Sequence, residues 1–200
     1  MDKERLAEEV KKKLSPQRFE HSMCVAQEAV KLANHYGVDG EELELAGILH
    51  DIMKETPVDE QLQTIGEFGI ILDNVERQSP KLLHAISATA YIQKELKITS
   101  PNILSAVRYH TTAKADMTMQ EKILYIADYI SADRQYRGVD YMRKWAYECI
   151  DHAILEGLAY TIDELVKRGN LIHTDTINAY NQLILQGVGN GIPPQIFKEG

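Results

Sequence analysis

Apolar residues recur along almost the whole chain at intervals of three and four positions, the spacing that places side chains on one face of an α-helix. No stretch shows the strict alternation of apolar and polar residues that is typical of a half-buried β-strand. The pattern therefore predicts an all-α protein. Helices are predicted near 2–13, 16–36, 40–53, 57–66, 80–96, 101–110, 119–131, 140–168 and 175–186.

Capping residues support several of these boundaries. Ser15, Ser79 and Ser100 each stand directly before a proline, as an N-cap residue stands before the first helical position. Thr118 and Glu121 have the spacing of a capping box at the start of an apolar run. Because no internal repeat or linker interrupts the pattern, we expect a single domain over residues 1–190 and a loose C-terminal tail over 191–200.

Several titratable side chains fall on these apolar faces, where an unpaired charge would be very costly. The set comprises His21, His50, Asp51, His84, His110 and Asp128. A single interior histidine is more often a hydrogen-bonded core residue than a ligand. Six such groups pointing inward from different predicted helices are most simply satisfied by a metal ion, which needs neutral imidazoles and ionised carboxylates.

The adjacent pair His50-Asp51 needs a further argument, because neighbouring residues of a helix point about 100° apart. Near a helix end, however, both side chains can converge on one ion. Two other histidines have simpler explanations: His152 lies between Glu148 and Glu156 and is expected on a solvated face, and His173 is expected in a loop.

Composition narrows the class of protein. The formal net charge of −8 provides no general basic surface for nucleic acid. The two cysteines form no CxxC pattern, which argues against a thiolate zinc site or a disulfide framework. No apolar run approaches the ~20 residues that would span a bilayer. We therefore expect a cytoplasmic protein that binds neither nucleic acid nor membranes.

The order H…HD…H…H…D resembles that of the HD-domain superfamily of metal-dependent phosphohydrolases. The stretches AGILHDIMKE, AVRYHTT, YIADYISADR and LIHTDTINAYN are similar to those of one group within it, the YqeK family of symmetrical diadenosine tetraphosphate hydrolases. This resemblance covers nearly the whole chain and implies a single HD-domain helical bundle with an interior metal site. Ala132 and Thr174 stand where proline is expected in relatives, which concerns only the local shape of the loops.

The resemblance also implies roles for individual residues. The metal ligands would be His21, His50, Asp51 and Asp128, with His84 and His110 binding a second ion or contacting phosphate. The catalytic residues would be Asp51, Asp128, Lys54 and Arg134. The substrate-binding residues would be Lys54, Glu55, His84, His110, Thr111, Arg134, Leu171, Ile172, His173, Thr174, Asp175 and Thr176. Iron is the expected metal, as one or two ions, and a histidine and carboxylate set also suits manganese, cobalt or zinc.

The reaction implied is attack of a metal-bound water on an inner phosphorus of diadenosine tetraphosphate, which yields two molecules of ADP. A homodimer is a possible assembly. Three alternatives stay open at this point. The same site could act on another nucleotide, as a 5′-nucleotidase, a cyclic-nucleotide phosphodiesterase or a guanosine tetraphosphate hydrolase. The protein could be a regulator that binds nucleotides without catalysis, or an iron oxygenase, against which Lys54 and Arg134 argue.

Overall fold

The computed structural model describes residues 3–189, and within this range it contains helices and no β-strand, which confirms the predicted all-α fold. The helices are α1 Lys3–Lys13, α2 Pro16–Tyr36, α3 Glu41–Leu49, α4 Val58–Glu67, α5 Asn74–Gln78, α6 Pro80–Lys94, α7 Pro101–Tyr109, α8 Met119–Ile130, α9 Val139–Glu148, α10 Ile150–Lys167 and α11 Thr174–Leu185. The predicted tail over 191–200 lies outside the described residues.

The core is built around α8, which packs against α2, α7 and α10, while α3 packs against α2 and α7. Leu32, Leu49 and Leu124 are fully buried at this centre. A smaller apolar cluster of Ile65, Leu72, Leu83 and Ile86 joins α4 to α6 beside it. The bundle therefore brings the second turn of α2 and the last turn of α8 close to the residues that directly follow α3 and α7.

Helices α2 and α3 approach each other unusually closely at Gly47. A Cβ atom on residue 47 would lie 2.5 Å from the Cα of Ala26, which real Cβ atoms essentially never do. Only glycine therefore allows the two backbones to touch at this point.

The predicted helix over 40–53 is too long, because α3 ends at Leu49. Residues 50–55 instead form consecutive tight turns. Their backbone hydrogen bonds span three residues, from Ile52 N–H to Leu49 O at 3.1 Å and from Lys54 N–H to Asp51 O at 2.8 Å. This change of backbone geometry explains how adjacent residues 50 and 51 can point into the same interior region.

The predicted helix over 140–168 is wrong in a different way, because it is two helices that fold back on each other. The break is at Cys149, which has an extended backbone with φ −159° and ψ 99°. The side chain of Met142 on α9 then packs beside Gly157 on α10. No proline marks this corner, so tertiary packing overrides the helical pattern of the sequence.

His152 is one consequence of this corner. Because α9 covers α10, the imidazole is 4% exposed and stacks on Trp145 with the ring centroids 3.8 Å apart. The prediction of a solvated face for His152 is therefore wrong.

The short helix α5 was not predicted. Its signal is present in the sequence as a capping box, in which Asp73 accepts a hydrogen bond from the Glu76 N–H at 2.8 Å and the Glu76 side chain accepts one from the Asp73 N–H at 2.9 Å.

Within residues 3–189, none of the helices combines the length and the apolar character that crossing a membrane requires.

Candidate active site

Five helices bring the six predicted metal-site residues into one interior cluster. His21 lies within α2, His84 within α6 and Asp128 within α8, while His110 directly follows α7. The adjacent His50 and Asp51 follow α3. All four histidines are at most 4% exposed. The side chain of Asp51 is 3% exposed and that of Asp128 is 20% exposed, so Asp128 is the carboxylate nearer to solvent.

Three of the imidazoles are held in the same way, each by its own helix. The Nδ1 atoms of His50, His84 and His110 each lie 2.7 Å from the backbone carbonyl three residues earlier. A carbonyl can only accept a hydrogen bond, so each Nδ1 carries a proton. In the neutral imidazole the lone pair is then on Nε2, the nitrogen that points toward the cluster.

His21 reaches the same state through a partner from elsewhere in the chain. Its Nδ1 donates to Asp133 Oδ2 at 2.8 Å, and the other oxygen of Asp133 accepts a hydrogen bond from Ser131 Oγ at 2.7 Å. His21 Nε2 faces Asp128 Oδ1 at 3.0 Å. The sequence did not identify Asp133, although it lies in the stretch YIADYISADR that carries part of the resemblance.

The four Nε2 atoms therefore meet carboxylate oxygens, with lone pairs on both sides. Asp51 Oδ1 is 3.2 Å from His84 Nε2 and 3.5 Å from His110 Nε2, and these two nitrogens are 3.1 Å apart. Among the described residues, His50 Nε2 and Asp51 Oδ1 are buried without a hydrogen-bond partner. A cation between these two buried acceptors would satisfy both of them. The residues therefore fit a bound metal ion.

Three overlapping groups of side chains could hold such an ion, each with its donor atoms within 4.8 Å of one another. The groups are His21–His50–Asp51, His50–His110–Asp128 and Asp51–His84–His110. Because His50, Asp51 and His110 each belong to two groups, the cluster is compatible with one ion or with two neighbouring ions. Nitrogen and oxygen donors without thiolate suit iron, manganese, cobalt or zinc.

The protonation states of His50 and of the two carboxylates agree with this interpretation, whereas at His21 burial is outweighed by the contacts with Asp128 and Asp133, which raise the pKa of the imidazole. Burial lowers the pKa of His50 to about 4, so its imidazole is neutral at pH 7. Burial alone would raise the pKa of Asp51, but the surrounding imidazoles and Lys54 hold it well below its usual range. Burial likewise opposes ionisation of Asp128, and His21, His50 and Arg134 together outweigh it and lower the pKa. Both carboxylates are therefore ionised, as metal ligands must be.

Three cationic side chains surround the cluster. Lys54 Nζ lies 3.5 Å from Asp51 Oδ1 and 3.1 Å from His84 Nε2. Arg134 donates from Nε to the Asp128 carbonyl at 2.7 Å and also pairs with the Asp128 carboxylate. Arg18 was not predicted, and it donates to Asp51 Oδ2 at 3.1 Å. Its position three residues before His21 on α2 was a usable signal, since that spacing shares a helix face.

A pocket of about 520 Å³, here called the large pocket, lies between the start of α6, the end of α10 and the segment before α11. Its lining includes Thr111, Leu171, His173 and Thr176, but not Ile172, Thr174 or Asp175. Thr111 Oγ1 is buried without a hydrogen-bond partner in the part of the chain that the structure describes. The volume is within the range of ordinary small-molecule sites.

The large pocket adjoins a central cavity of about 410 Å³, since both are lined by Thr111 and Thr161. The central cavity is also lined by His110, Asp128 and Arg134. Leu171, His173 and Thr176 therefore line a pocket that adjoins the cavity beside the metal-site cluster, and their role in binding substrate stays a prediction.

Glu55 has a different environment from the one expected of a substrate contact. Its carboxylate accepts hydrogen bonds from Ser15 N–H at 2.5 Å and Ser15 Oγ at 2.8 Å, which ties the turn after α3 to the start of α2. Its role in binding substrate stays a prediction.

Comparison with known proteins agrees with the cluster and the fold. Residues 18–133 match the family model of the HD domain. A symmetrical bis(5′-nucleosyl)-tetraphosphatase of Halalkalibacterium halodurans is 36% identical over 88% of this chain and 94% of its own length. The protein of the same description from Bacillus subtilis is 34% identical over 92% of this chain and 98% of its own length.

A solved structure from Clostridium acetobutylicum is also similar. It is described as a "predicted HD superfamily hydrolase involved in NAD metabolism", and it superimposes with a TM-score of 0.90 at 32% identity over 93% of this chain and 98% of its own. The chain belongs to the HD-domain family, and within that family to the YqeK type.

Proposed function

We propose that this protein is a metal-dependent hydrolase that cleaves diadenosine tetraphosphate symmetrically into two molecules of ADP. The observation that carries this proposal is the convergence of four imidazole Nε2 atoms on two ionised carboxylates, beside cationic side chains and a pocket large enough for a nucleotide. The descriptions of the two relatives support the choice of substrate, and the HD domain supports a metal-dependent hydrolase.

Metal binding in this proposal falls to His21, His50, Asp51 and Asp128, with His84 and His110 available for a second ion or for a phosphate oxygen. A bound metal would lower the pKa of a water molecule and polarise a phosphoryl oxygen. Iron is the metal we propose, and manganese, cobalt and zinc are the alternatives that the same donors accept.

The cations bind and neutralise the phosphates. Lys54 and Arg134 have side chains that are 34% and 35% exposed, so both can reach a bound substrate while staying in contact with Asp51 and Asp128. Arg18 is placed similarly, with 34% of its side chain exposed. Donors held in place before the reaction stabilise the charge that develops on the phosphoryl and leaving oxygens.

Asp128 is the carboxylate we propose as the acceptor of a proton from the attacking water. It is ionised, and its side chain is more exposed than that of Asp51. Asp51 is enclosed by imidazoles and cations, so its role is to hold the cluster together.

One nucleoside binds in the large pocket. Leu171 is half exposed beside it and provides apolar contact for a base, while Thr111 Oγ1 is a hydroxyl without a present partner among the described residues. This placement leaves the phosphates in the central cavity, beside His110 and Arg134.

The test is a hydrolysis assay with purified protein whose metal content has been measured. Diadenosine tetraphosphate in ¹⁸O-labelled water should give ADP alone, with one label in half of the molecules. Equal amounts of ATP and AMP would mean that an outer phosphorus is attacked and that the proposed anchoring is wrong.

The same assay should include guanosine tetraphosphate, nucleoside monophosphates, cyclic nucleotides and NAD, the last because of the description of the Clostridium relative. Hydrolysis of one of these without turnover of diadenosine tetraphosphate would retain the metal site but change the substrate. We further propose a cytoplasmic location, which the two unpaired cysteines support. The homodimer stays a prediction.

A further inference from the structure

A third space adjoins the central cavity. This α2 pocket has a volume of about 340 Å³ and lies between the first turn of α2 and the segment after α8. Arg134 and Tyr136 line both spaces, as Thr111 and Thr161 line both the central cavity and the large pocket. The three spaces are therefore neighbours in a row, with His110 and Asp128 lining the central cavity and His21 lining the α2 pocket.

The side chains of the α2 pocket suit a phosphorylated nucleoside. Arg18 and Arg134 line it together with His21 and provide charge for phosphates. Gln17 and Gln135 add uncharged groups that can both donate and accept hydrogen bonds, as a base and a ribose require. Tyr136 adds an aromatic ring, and its hydroxyl is buried without a hydrogen-bond partner within residues 3–189.

The two carboxylates that line this pocket, Glu55 and Asp133, are both held by hydrogen bonds to the protein. Glu55 accepts two hydrogen bonds from Ser15, and Asp133 accepts hydrogen bonds from His21 and Ser131. Arg18 and Arg134, which also contact Asp51 and Asp128, are the cationic side chains of this lining and the groups available to a phosphate.

A symmetrical substrate has two equal halves, and both must fit in the spaces around the metal-site cluster. If cleavage occurs between two equal halves, and one half is in the large pocket, the second half must extend beyond the metal-site cluster. Resting on the function proposed above, we propose that the α2 pocket binds the second nucleoside diphosphate half of the substrate, with Gln17, Gln135 and Tyr136 as its nucleoside contacts. Recognition of both halves would distinguish a dinucleoside polyphosphate from a nucleotide with a single nucleoside.

The test compares two substrates that share the phosphate chain. Diadenosine tetraphosphate has a nucleoside at each end, and adenosine 5′-tetraphosphate has only one. The variant Gln17→Ala/Gln135→Ala should lower kcat/KM for the dinucleotide about tenfold, mainly through KM, which corresponds to ~1.4 kcal/mol. Its effect on adenosine 5′-tetraphosphate, measured as a substrate or as a competitive inhibitor, should stay within about twofold.

Two controls fix the interpretation. Gln27→Ala changes an exposed glutamine of the same helix away from the pocket and should affect neither substrate. Leu171→Ala in the large pocket should weaken both substrates, because both carry the nucleoside that binds there.

An unchanged kcat/KM for the dinucleotide in the double variant would overturn the proposal and place the second nucleoside in solvent. An equal loss for both substrates would also overturn it, since Gln17 and Gln135 would then act on the shared phosphates or on the fold. If the parent protein itself forms no ADP, the proposed function fails and this proposal fails with it. If the parent forms ADP and only the result for the double variant differs from expectation, this proposal fails alone.

Discussion

Two regions of this molecule bring histidine and carboxylate side chains together, and they differ in how the second ring nitrogen is used. In the interior cluster, each imidazole donates from Nδ1 to a partner outside the cluster and presents the Nε2 lone pair. The other region is formed by Asp73, Glu76 and His173, whose donor atoms also lie within 4.8 Å of one another.

At His173 the ring is used in the opposite way. Its Nδ1 accepts a hydrogen bond from the Asp175 N–H at 3.1 Å, as the N-cap of α11. In the neutral ring the proton is then on Nε2, which faces Asp73 Oδ2 at 3.5 Å and Glu76 Oε1 at 3.7 Å. Glu76 is further bound by Arg108. The comparison shows that residue type and proximity do not define a metal site, because the partner of the other nitrogen decides which lone pair is free.

The largest effect should come from breaking the interior cluster. We expect His50→Ala or Asp51→Ala to lose bound metal and to abolish hydrolysis. Each substitution removes a buried ligand and leaves the remaining acceptor atoms of the cluster facing one another. Elemental analysis of the purified variants measures the first effect and product chromatography the second. Full metal content in both variants would refute their assignment as ligands.

The next effect concerns the cations, which should act on the reaction and not on the metal. Lys54→Ala and Arg134→Ala should retain the metal and lower kcat/KM by ~10²–10³, the usual cost of removing one well-placed stabilising donor. Steady-state kinetics on metal-loaded protein tests this. Rates within about twofold of the parent would instead mean that both residues are surface charges that do not contribute to the reaction.

A smaller effect is expected at Asp133, which within residues 3–189 is the carboxylate that holds a ring of the interior cluster from outside. Asp133→Asn should weaken metal affinity by about 10–100-fold, as loss of an outer partner of a metal-binding histidine typically does. Titration with a competing chelator gives the affinity. Unaltered retention of the metal would mean that His21 does not need a negatively charged partner at Nδ1.

The smallest effect should come from the cluster around His173. Asp73→Ala removes the capping box of α5 and should lower the free energy of unfolding by about 1 kcal/mol, with metal content equal to that of the parent. Urea denaturation and elemental analysis measure the two quantities. Loss of a metal ion in this variant would remove the distinction between the two regions.

The sequence predicted the positions of the interior cluster well because each of its members lies on an apolar helical stripe or directly after one. His21 before Val25 and Asp128 after Leu124 follow this pattern. Arg18 could have been found from its spacing of three residues before His21, whereas no local pattern connects Asp133 with His21, which lies 112 residues away in the chain. Local pattern also could not predict the corner at Cys149, because the packing of α9 on α10 causes it.

Gly47 has a consequence for the mutational tolerance of the chain. Glycine inside a helix costs roughly 0.5–1 kcal/mol relative to alanine, so a search for greater stability would replace it. Here any side chain would meet the backbone of Ala26 and separate α2 from α3, which carry His21 and His50 with their rings 5.5 Å apart. The carbonyl of the same residue also holds His50. A saturation library selected for activity should therefore return glycine at this position, although residue 47 is itself neither a proposed metal ligand nor a proposed substrate contact.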